Sequence, residues 1–118
     1  MTQGARTDRV AEEFREILAE EVQRLKDPRI GFVTLTGVRV TPDLRRAWVF
    51  YTVLGDEKQR RATAAGLRSA TPHLRRSLGG QVRLKALPEL EFQVDETIAH
   101  HRRIEEIFER LHEDGLDE

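Results

Sequence analysis

The sequence predicts an α+β domain in which helices pack against a small sheet in two layers. Three observations point to this class. Apolar residues recur at helical spacing near both ends and in the middle of the chain. Two stretches rich in Val, Thr and aromatic residues are separated by a short turn, which favours a hairpin. A third stretch, Leu90 to Val94, alternates between apolar and polar residues, so one side of the sheet is expected to face solvent.

The first predicted helix starts near Asp8, a residue type that caps helices, and ends at Asp27-Pro28, because the residue before proline avoids the helical region. Its apolar face consists of Val10, Phe14, Ile17, Leu18, Val22 and Leu25.

Two strands follow, from Phe32 to Val40 and from Ala47 to Leu54, joined by a turn at Thr41-Pro42-Asp43. So short a connection predicts an antiparallel hairpin. The apolar residues of the first strand change from one face to the other at Gly37. A β-bulge at this glycine would keep all of them on the side of the core.

A second helix is predicted from Lys58 to Ala70, on small apolar residues. Thr71-Pro72 is expected to interrupt it and to start a short third helix, since threonine caps helices well and proline suits the first helical position. Gly79-Gly80 is expected to end that helix. After the third strand, a last helix is predicted over about residues 98–112.

The charge of the chain is strongly segregated, although the total is −1. The segment from Lys58 to Lys85 contains eight Lys and Arg residues and no acid, whereas residues 86–118 contain eleven Asp and Glu against three Arg. A basic block inside a folded helical segment predicts a surface that binds phosphate, with nucleic acid as the first hypothesis. The alternative is an ordinary solvated helix face.

The composition suits one domain over residues 1–118, with frayed ends at about 1–7 and 113–118. The chain has no cysteine, no apolar run long enough to span a bilayer and no apolar leader at its start. We therefore expect a cytoplasmic protein that has no contact with a membrane.

Neither a metal site nor a catalytic group is predicted. Of the four histidines, His100 and His101 are adjacent, so on a helix their side chains diverge by about 100°. No pair of histidines has the spacing of metal ligands along one helix face. Trp48, Phe50 and Tyr51 could stack on bases, but we interpret them as core residues because the chain has few other large side chains.

Several runs of the sequence together resemble the ribosome-binding factor A family of bacterial small-subunit assembly factors. They lie at residues 8–15, 26–38, 41–47, 74–79, 82–85, 88–92 and 95–97, and the most specific is Asp27-Pro28-Arg29-Ile30-Gly31. The similarity covers roughly residues 8–108.

The resemblance implies a type II KH-like fold with the order α-β-β-α(kink)α-β, followed by a C-terminal helix. Typical KH domains clamp a nucleic-acid backbone with a Gly-x-x-Gly loop. This family has an interrupted helix around Ala-x-Gly instead, and the matching positions here are Ala70-Thr71-Pro72. We expect this break to orient the arginines on both sides of it, and Pro72→Ala to merge the helices and weaken RNA binding.

The resemblance also implies the function and the partners. It implies a non-catalytic factor without cofactor that binds the free small (30S) subunit and its rRNA. We also expect the protein to be a monomer and small-subunit ribosomal proteins to be further contacts. Roles in late maturation, in processing of the 5′ end of small-subunit rRNA and in growth in the cold are implied as well. The candidate RNA-contacting residues are Arg45, Arg46, Arg60, Arg61, Arg68, Ala70, Thr71, Pro72, His73, Arg75, Arg76, Arg83 and Lys85. The alternative function is a protein-interaction adaptor whose basic face binds an acidic partner.

Overall fold

Two helices cover one face of a three-stranded sheet in the computed structural model, which describes residues 5–97. The elements are α1 (Ala5–Gln23), β1 (Val33–Val40), β2 (Arg46–Val53), α2 (Glu57–Gln81) and β3 (Glu89–Val94). The sheet order is β1-β2-β3, with β1 antiparallel and β3 parallel to the central β2. This architecture confirms the predicted α+β class and is consistent with a type II KH-like fold. The predicted helix at residues 98–112 lies outside the described residues.

Helix α1 differs from the prediction at both ends. It begins at Ala5, so Asp8 lies in the first turn and is not the cap, and residues 5–7 belong to the helix although we expected them to be frayed. An acid in the first turn still stabilises the helix through its dipole. The helix ends at Gln23, before Asp27-Pro28, and an irregular segment follows. The predicted apolar face is confirmed, with Phe14 and Leu18 fully buried.

The β1–β2 hairpin contains the predicted bulge. Leu35 pairs with Tyr51 and Gly37 pairs with Phe50, so Thr36 is the extra residue on β1. The bulge restores the apolar residues beyond it to the core side, where Val40 is fully buried. In β3, Leu90 is buried and Phe92 packs against the core, but Val94 is 42% exposed, so only part of its predicted apolar face is covered.

Helix α2 is one continuous helix, and the predicted break at Thr71-Pro72 is wrong. The hydroxyl of Thr71 donates to the carbonyl oxygen of Leu67 at 2.9 Å, inside the helix, and so does not cap a new one. Gly79-Gly80 does not end the helix either, because it continues to Gln81. The N–H of Val82 then donates to the carbonyl oxygen of Leu78.

Core packing explains why proline does not break α2. Leu67, Leu74 and Leu78 are fully buried on one side of the helix, before and after Pro72. Burying each leucine stabilises the fold by about 2 kcal/mol, whereas proline inside a helix costs about 3 kcal/mol. The unbroken helix places all three leucines in the core, and their combined burial outweighs the cost of the proline.

The start of α2 carries a capping signal that our sequence-based prediction did not include. Asp56 caps the helix: its carboxylate accepts from the N–H of Gln59 at 2.8 Å, and the Gln59 side chain accepts from the N–H of Asp56 at 2.8 Å. This reciprocal pair is a capping box, which can be recognised from an acid followed three residues later by Gln.

Two glycines of α2 give a matched test of its packing. A Cβ at Gly66 would lie 2.6 Å from Cγ1 of Ile30, whereas one at Gly80 would have no neighbour within 4 Å. We expect Gly66→Ala to destabilise the protein by about 1 kcal/mol, because overpacking exceeds the gain in helix propensity. Gly80→Ala should stabilise it by up to about 1 kcal/mol. Urea unfolding of both variants measures the difference in their free energies of unfolding. Equal stabilisation by both substitutions would show that Ile30 does not pack against Gly66 as described.

Candidate nucleic-acid interface

The solvent-facing side of α2 is a row of cations, here called the basic ridge, consisting of Lys58, Arg61, Arg68 and Arg76. At about 100° per residue, each of these side chains points roughly 100° or more away from the buried Leu67 around the helix axis. All four are exposed. The ridge extends about 27 Å at about 1.5 Å per residue. Because one side of the helix is buried and the other is basic, three predicted phosphate-binding residues, Arg61, Arg68 and Arg76, lie on one surface together with Lys58.

The ridge is almost free of neutralising partners within the described part of the chain. Lys58, Arg68 and Arg76 form no ion pair or side-chain hydrogen bond with any residue from 5 to 97. Arg61 lies 3.6 Å from Glu57, but both side chains are more than 70% exposed. Such an exposed pair contributes little and opens easily when a phosphate competes. The ridge can therefore bind anions without breaking the fold.

Arg75 makes contacts within the fold that were not predicted from the sequence. Its guanidinium donates to the carbonyl oxygens of Pro88 at 2.8 Å and Leu87 at 3.2 Å, and forms a 3.1 Å ion pair with Glu89. The side chain is only 29% exposed. It therefore holds the segment that leads into β3, and we expect its replacement to affect the fold as well as binding.

The predicted contacts at the proline site are also placed differently. Ala70 packs against the core and the hydroxyl of Thr71 is used within the helix, so Pro72 and His73 are the exposed residues of this group. In a continuous helix the backbone amides are hydrogen-bonded to carbonyl groups one turn earlier. This region therefore lacks the free amides of a backbone clamp, and recognition here has to use side chains.

The remaining predicted basic residues lie around the ends of α2. Arg60 donates to the carbonyl oxygen of Gly55 at 2.7 Å. Arg83 and Lys85 are exposed in the connection from α2 to β3. Arg45 and Arg46 precede and begin β2, and the carbonyl oxygen of Arg45 accepts from the N–H of Glu89 at 2.8 Å.

The start of β3 therefore brings some of the predicted RNA-contacting residues together. Glu89 binds both the Arg45 carbonyl oxygen and the Arg75 guanidinium, so these two arginines meet at one end of the sheet. Arg46 is exposed beside them, with its guanidinium 5.7 Å from the centre of the Trp48 ring. This distance is compatible with a cation–π contact.

The aromatic residues of β2 divide between the two faces of the sheet. Tyr51 is 2% exposed on the helix side, and burial raises the pKa of its hydroxyl while the charge of Arg68 acts in the opposite direction. Trp48 and Phe50 are half-buried on the other face, which neither α1 nor α2 covers. The core interpretation is thus correct for Tyr51 and wrong for Trp48 and Phe50.

The segment from Lys26 to Phe32, part of a run that resembles the ribosome-binding factor A family, is fixed against α2 by hydrogen bonds. The hydroxyl of the fully buried Thr63 accepts from the N–H of Gly31 at 3.1 Å and donates to the carbonyl oxygen of Arg29 at 3.3 Å. Beyond this anchor, Phe32 is 83% exposed. Phe32 was expected to be the first residue of the strand, but β1 begins at Val33. Alternation that puts Val33 and Leu35 on the core side leaves Phe32 on the other side.

Other kinds of site find no support in the described residues. From residue 5 to residue 97 no group of three or more His, Asp or Glu side chains could hold a metal ion. Within the same range no helix has the length and apolar character needed to cross a bilayer.

Comparisons with known proteins place these features in a family. The family model described as ribosome-binding factor A matches residues 6–108. A ribosome-binding factor A of Geobacter sulfurreducens is 46% identical over 115 residues, covering 96% of this chain and 98% of the relative.

A solved structure and a fitted homology model of the same family match the fold. The crystal structure of ribosome-binding factor A from Thermus thermophilus is 30% identical with a TM-score of 0.68, covering 75% of this chain and 94% of the other. A homology model of Thermus thermophilus ribosome-binding factor A, fitted into the cryo-electron-microscopy map of a 30S complex with that factor, is 29% identical. Its TM-score is 0.65, and the match covers 76% of this chain and 96% of the other. The chain therefore belongs to the ribosome-binding factor A family.

Proposed function

We propose that the protein is a non-catalytic, cytoplasmic assembly factor that binds the free small ribosomal subunit through its rRNA. In this function it assists late maturation of the subunit and processing of the 5′ end of small-subunit rRNA. Family membership supports a ribosome-binding function, and the Thermus thermophilus relative supports the 30S subunit as the target. The protein acts by occupying rRNA and stabilising one of its conformations over others.

The basic ridge, in which only Arg61 has an ion-pair partner among residues 5–97, is the observation that carries this proposal. A solvated helix face usually intersperses both signs of charge, but Glu57 is the only acid on α2 and lies at its first position. Arginine guanidinium groups suit phosphate oxygens because their donors form a planar fork. Three further cations, Arg46, Arg83 and Lys85, are exposed at the start of β2 and in the connection that follows α2.

The geometry also indicates what kind of recognition the ridge performs. Long cationic side chains on a regular helix contact phosphates and sugars, which fixes position but reads no base sequence. Recognition should then depend on the shape of the folded rRNA, as is common for structured RNA. We expect binding to intact subunits to exceed binding to rRNA fragments that have lost this shape.

The test is co-sedimentation with free small subunits, free large subunits and whole ribosomes, over a range of salt concentrations. We expect selective binding to free small subunits. If about four phosphates are neutralised, the logarithm of the binding constant should fall with the logarithm of salt concentration with a slope of about −3 to −4.

Protein-free small-subunit rRNA separates this function from the adaptor alternative. Salt-dependent binding to folded rRNA alone supports the proposal. Salt-dependent binding to subunits combined with no binding to rRNA would show that the ridge meets an acidic protein instead. A flat salt response with subunits would reject the electrostatic mechanism altogether.

A further inference from the structure

The face of the sheet opposite α1 and α2, here called the open face, carries the aromatic side chains Trp48 and Phe50. Both are half-buried, and they are two residues apart on the central strand β2. Trp48 pairs with Arg39 on one neighbouring strand and with Glu91 on the other, and directly paired residues share a face of the sheet. The open face is therefore an aromatic row with a cation on its β1 side and an acid on its β3 side.

Neither of these two charges is neutralised within residues 5–97. Arg39 and Glu91 are both exposed, and neither forms an ion pair with any residue in this range. The carboxylate of Glu91 accepts from the side-chain amide of Gln93 at 2.6 Å. A complementary partner for the open face is therefore apolar along its centre, with an acid toward β1 and a base toward β3.

Directly after β3, the chain begins a helical turn at the edge of the open face. Glu96 and Thr97 are helical, and the carboxylate of Asp95 accepts from the N–H of Thr97 at 3.0 Å, as a helix cap does. The same carboxylate accepts from the hydroxyl of Thr36, the bulge residue of β1, at 2.6 Å. The N–H of Asp95 donates to the carbonyl oxygen of Tyr51 at 2.7 Å. These bonds fix the place from which the chain continues.

A groove of about 790 Å³ joins this first turn to the open face. It is lined by Arg39 and Phe50 on the sheet and by residues 93–97 at the end of β3 and after it. Because Phe50 and Thr97 line the same groove, a helix that continues from Thr97 starts beside the aromatic row.

The sequence beyond Thr97 has the pattern that the open face requires. Residues 98–112 lie outside the described residues, and their spacing predicts a helix with one apolar stripe, consisting of Ile104, Ile107, Phe108 and Leu111. At about 100° per residue, Glu105 lies on one flank of this stripe and Arg103 on the other.

Distances along the two elements also agree. At about 1.5 Å per residue, Ile104 lies about 13–14 Å from Asp95 along a helix axis. At about 3.3 Å per residue, Glu91 lies about 13 Å from Asp95 along β3, and Glu91 is at the level of Trp48. A helix that turns back over the open face, antiparallel to β3, therefore brings Ile104 to Trp48.

The charges match in this arrangement. Parallel strands joined through a helix follow a right-handed crossover, which decides on which side of the open face β1 and β3 lie. A right-handed helix antiparallel to β3 then directs Glu105 toward Arg39 and Arg103 toward Glu91. The opposite direction of the helix would bring like charges together.

We propose that residues 98–112 form a helix that packs on the open face of their own chain, with Ile104 on Trp48 and Glu105 beside Arg39. Because the start of the segment is fixed at this face, its local concentration there is on the order of millimolar, which favours it over a second copy of the chain. An RNA occupant is disfavoured, because Glu91 and Glu96 beside the row repel phosphate. The inference goes beyond the proposed function and does not depend on it.

Fluorescence of Trp48 tests the packing in the free protein, because Trp48 is the only tryptophan of the chain. We expect Trp48 to be shielded from acrylamide in the parent, and Ile104→Asp to increase its quenching and shift its emission to longer wavelength. Loss of the isoleucine contact should lower the docked-to-undocked ratio about ten- to a hundredfold. Glu106→Asp puts the same residue type on the outer side of the helix and should leave Trp48 shielded. Equal quenching of the parent and Ile104→Asp would overturn the proposal.

Exchange of charges tests the orientation of the segment. Arg39→Glu and Glu105→Arg should each increase the quenching of Trp48, because each brings like charges together. The combination Arg39→Glu/Glu105→Arg should restore the shielding, whereas Glu106→Arg, a reversal on the outer side, should leave it unchanged. If the double variant is quenched as strongly as the single variants, the two side chains do not meet and the antiparallel arrangement is wrong.

Dilution identifies the occupant of the open face. Shielding of Trp48 that is independent of protein concentration supports packing within one chain, whereas shielding that is lost on dilution would show that a second copy covers the face. Thermal melts check folding, and if Ile104→Asp does not melt cooperatively, the charge exchange decides. These measurements use the protein without ribosomes, so a negative result leaves the proposed function standing, and a failure to bind small subunits leaves this inference standing.

Discussion

Reversing the charge of Arg68 and Arg76 together should weaken binding to free small subunits by at least about a hundredfold. Both side chains are exposed on the basic ridge, so each reversal removes charge-assisted hydrogen bonds worth about 1.5–3 kcal/mol and adds repulsion from phosphate. The salt slope should also become shallower by about one unit for each phosphate that is no longer neutralised. Titration of Arg68→Glu/Arg76→Glu against subunits at several salt concentrations measures both effects.

The matched control is Arg6→Glu/Arg9→Glu, which changes the net charge equally on the exposed surface of α1. We expect this variant to retain most of its affinity, because its arginines lie outside the ridge. Equal weakening in the two variants would show that total charge governs association and that the ridge is no specific site. In cells that lack the protein, the ridge variant should also fail to restore processing of small-subunit rRNA in the cold.

Arg75 is left out of this double variant because reversing its charge would disturb the fold as well as subunit binding. Its contacts with Leu87, Pro88 and Glu89 hold the entry to β3, and a glutamate there would face Glu89. The sequence places Arg75 and Arg76 side by side in a basic block and offers no means to tell them apart. Only the folded helix shows that Arg76 faces solvent while Arg75 turns toward the strand.

What the sequence predicts well are features set by local periodicity. The apolar face of α1 and the bulge at Gly37 follow from side-chain spacing, which tertiary packing then reinforces. The acid-free segment likewise predicts the basic ridge, because burial of one helix side forces the cations onto the other.

Features that depend on distant partners are not predictable in this way. Thr63 appears as an ordinary helix residue, yet its hydroxyl fixes the backbone around Gly31, 32 residues earlier in the chain. Trp48 and Phe50 are residue types common in cores, but within residues 5–97 the helices α1 and α2 cover only the side of the sheet that bears Tyr51. Whether a second layer covers a face is decided by the whole fold.

Because α2 is continuous, the expected effect of Pro72→Ala is the opposite of the one that the Thr71-Pro72 sequence suggests. Because the helix already passes through Pro72, Pro72→Ala has no separate helices to merge. The substitution should restore the missing hydrogen bond to the carbonyl oxygen of Arg68 and stabilise the protein by about 2 kcal/mol. That figure is the helix penalty of proline, about 3 kcal/mol, reduced by the greater freedom of the unfolded chain. Urea unfolding measures this gain.

Subunit binding by the same variant tests whether proline shapes the interface. Arg68 and Arg76 lie on one side of a continuous helix with or without Pro72, so Pro72→Ala should bind with unchanged affinity. Pro72→Gly restores the same amide but gains about 1 kcal/mol less stability than the Ala variant, because glycine lowers helix propensity. If the parent is more stable than both Pro72→Ala and Pro72→Gly, α2 requires a bend that the proline induces. In that case a fall in subunit affinity in Pro72→Ala would show that the bend positions Arg76 on the rRNA.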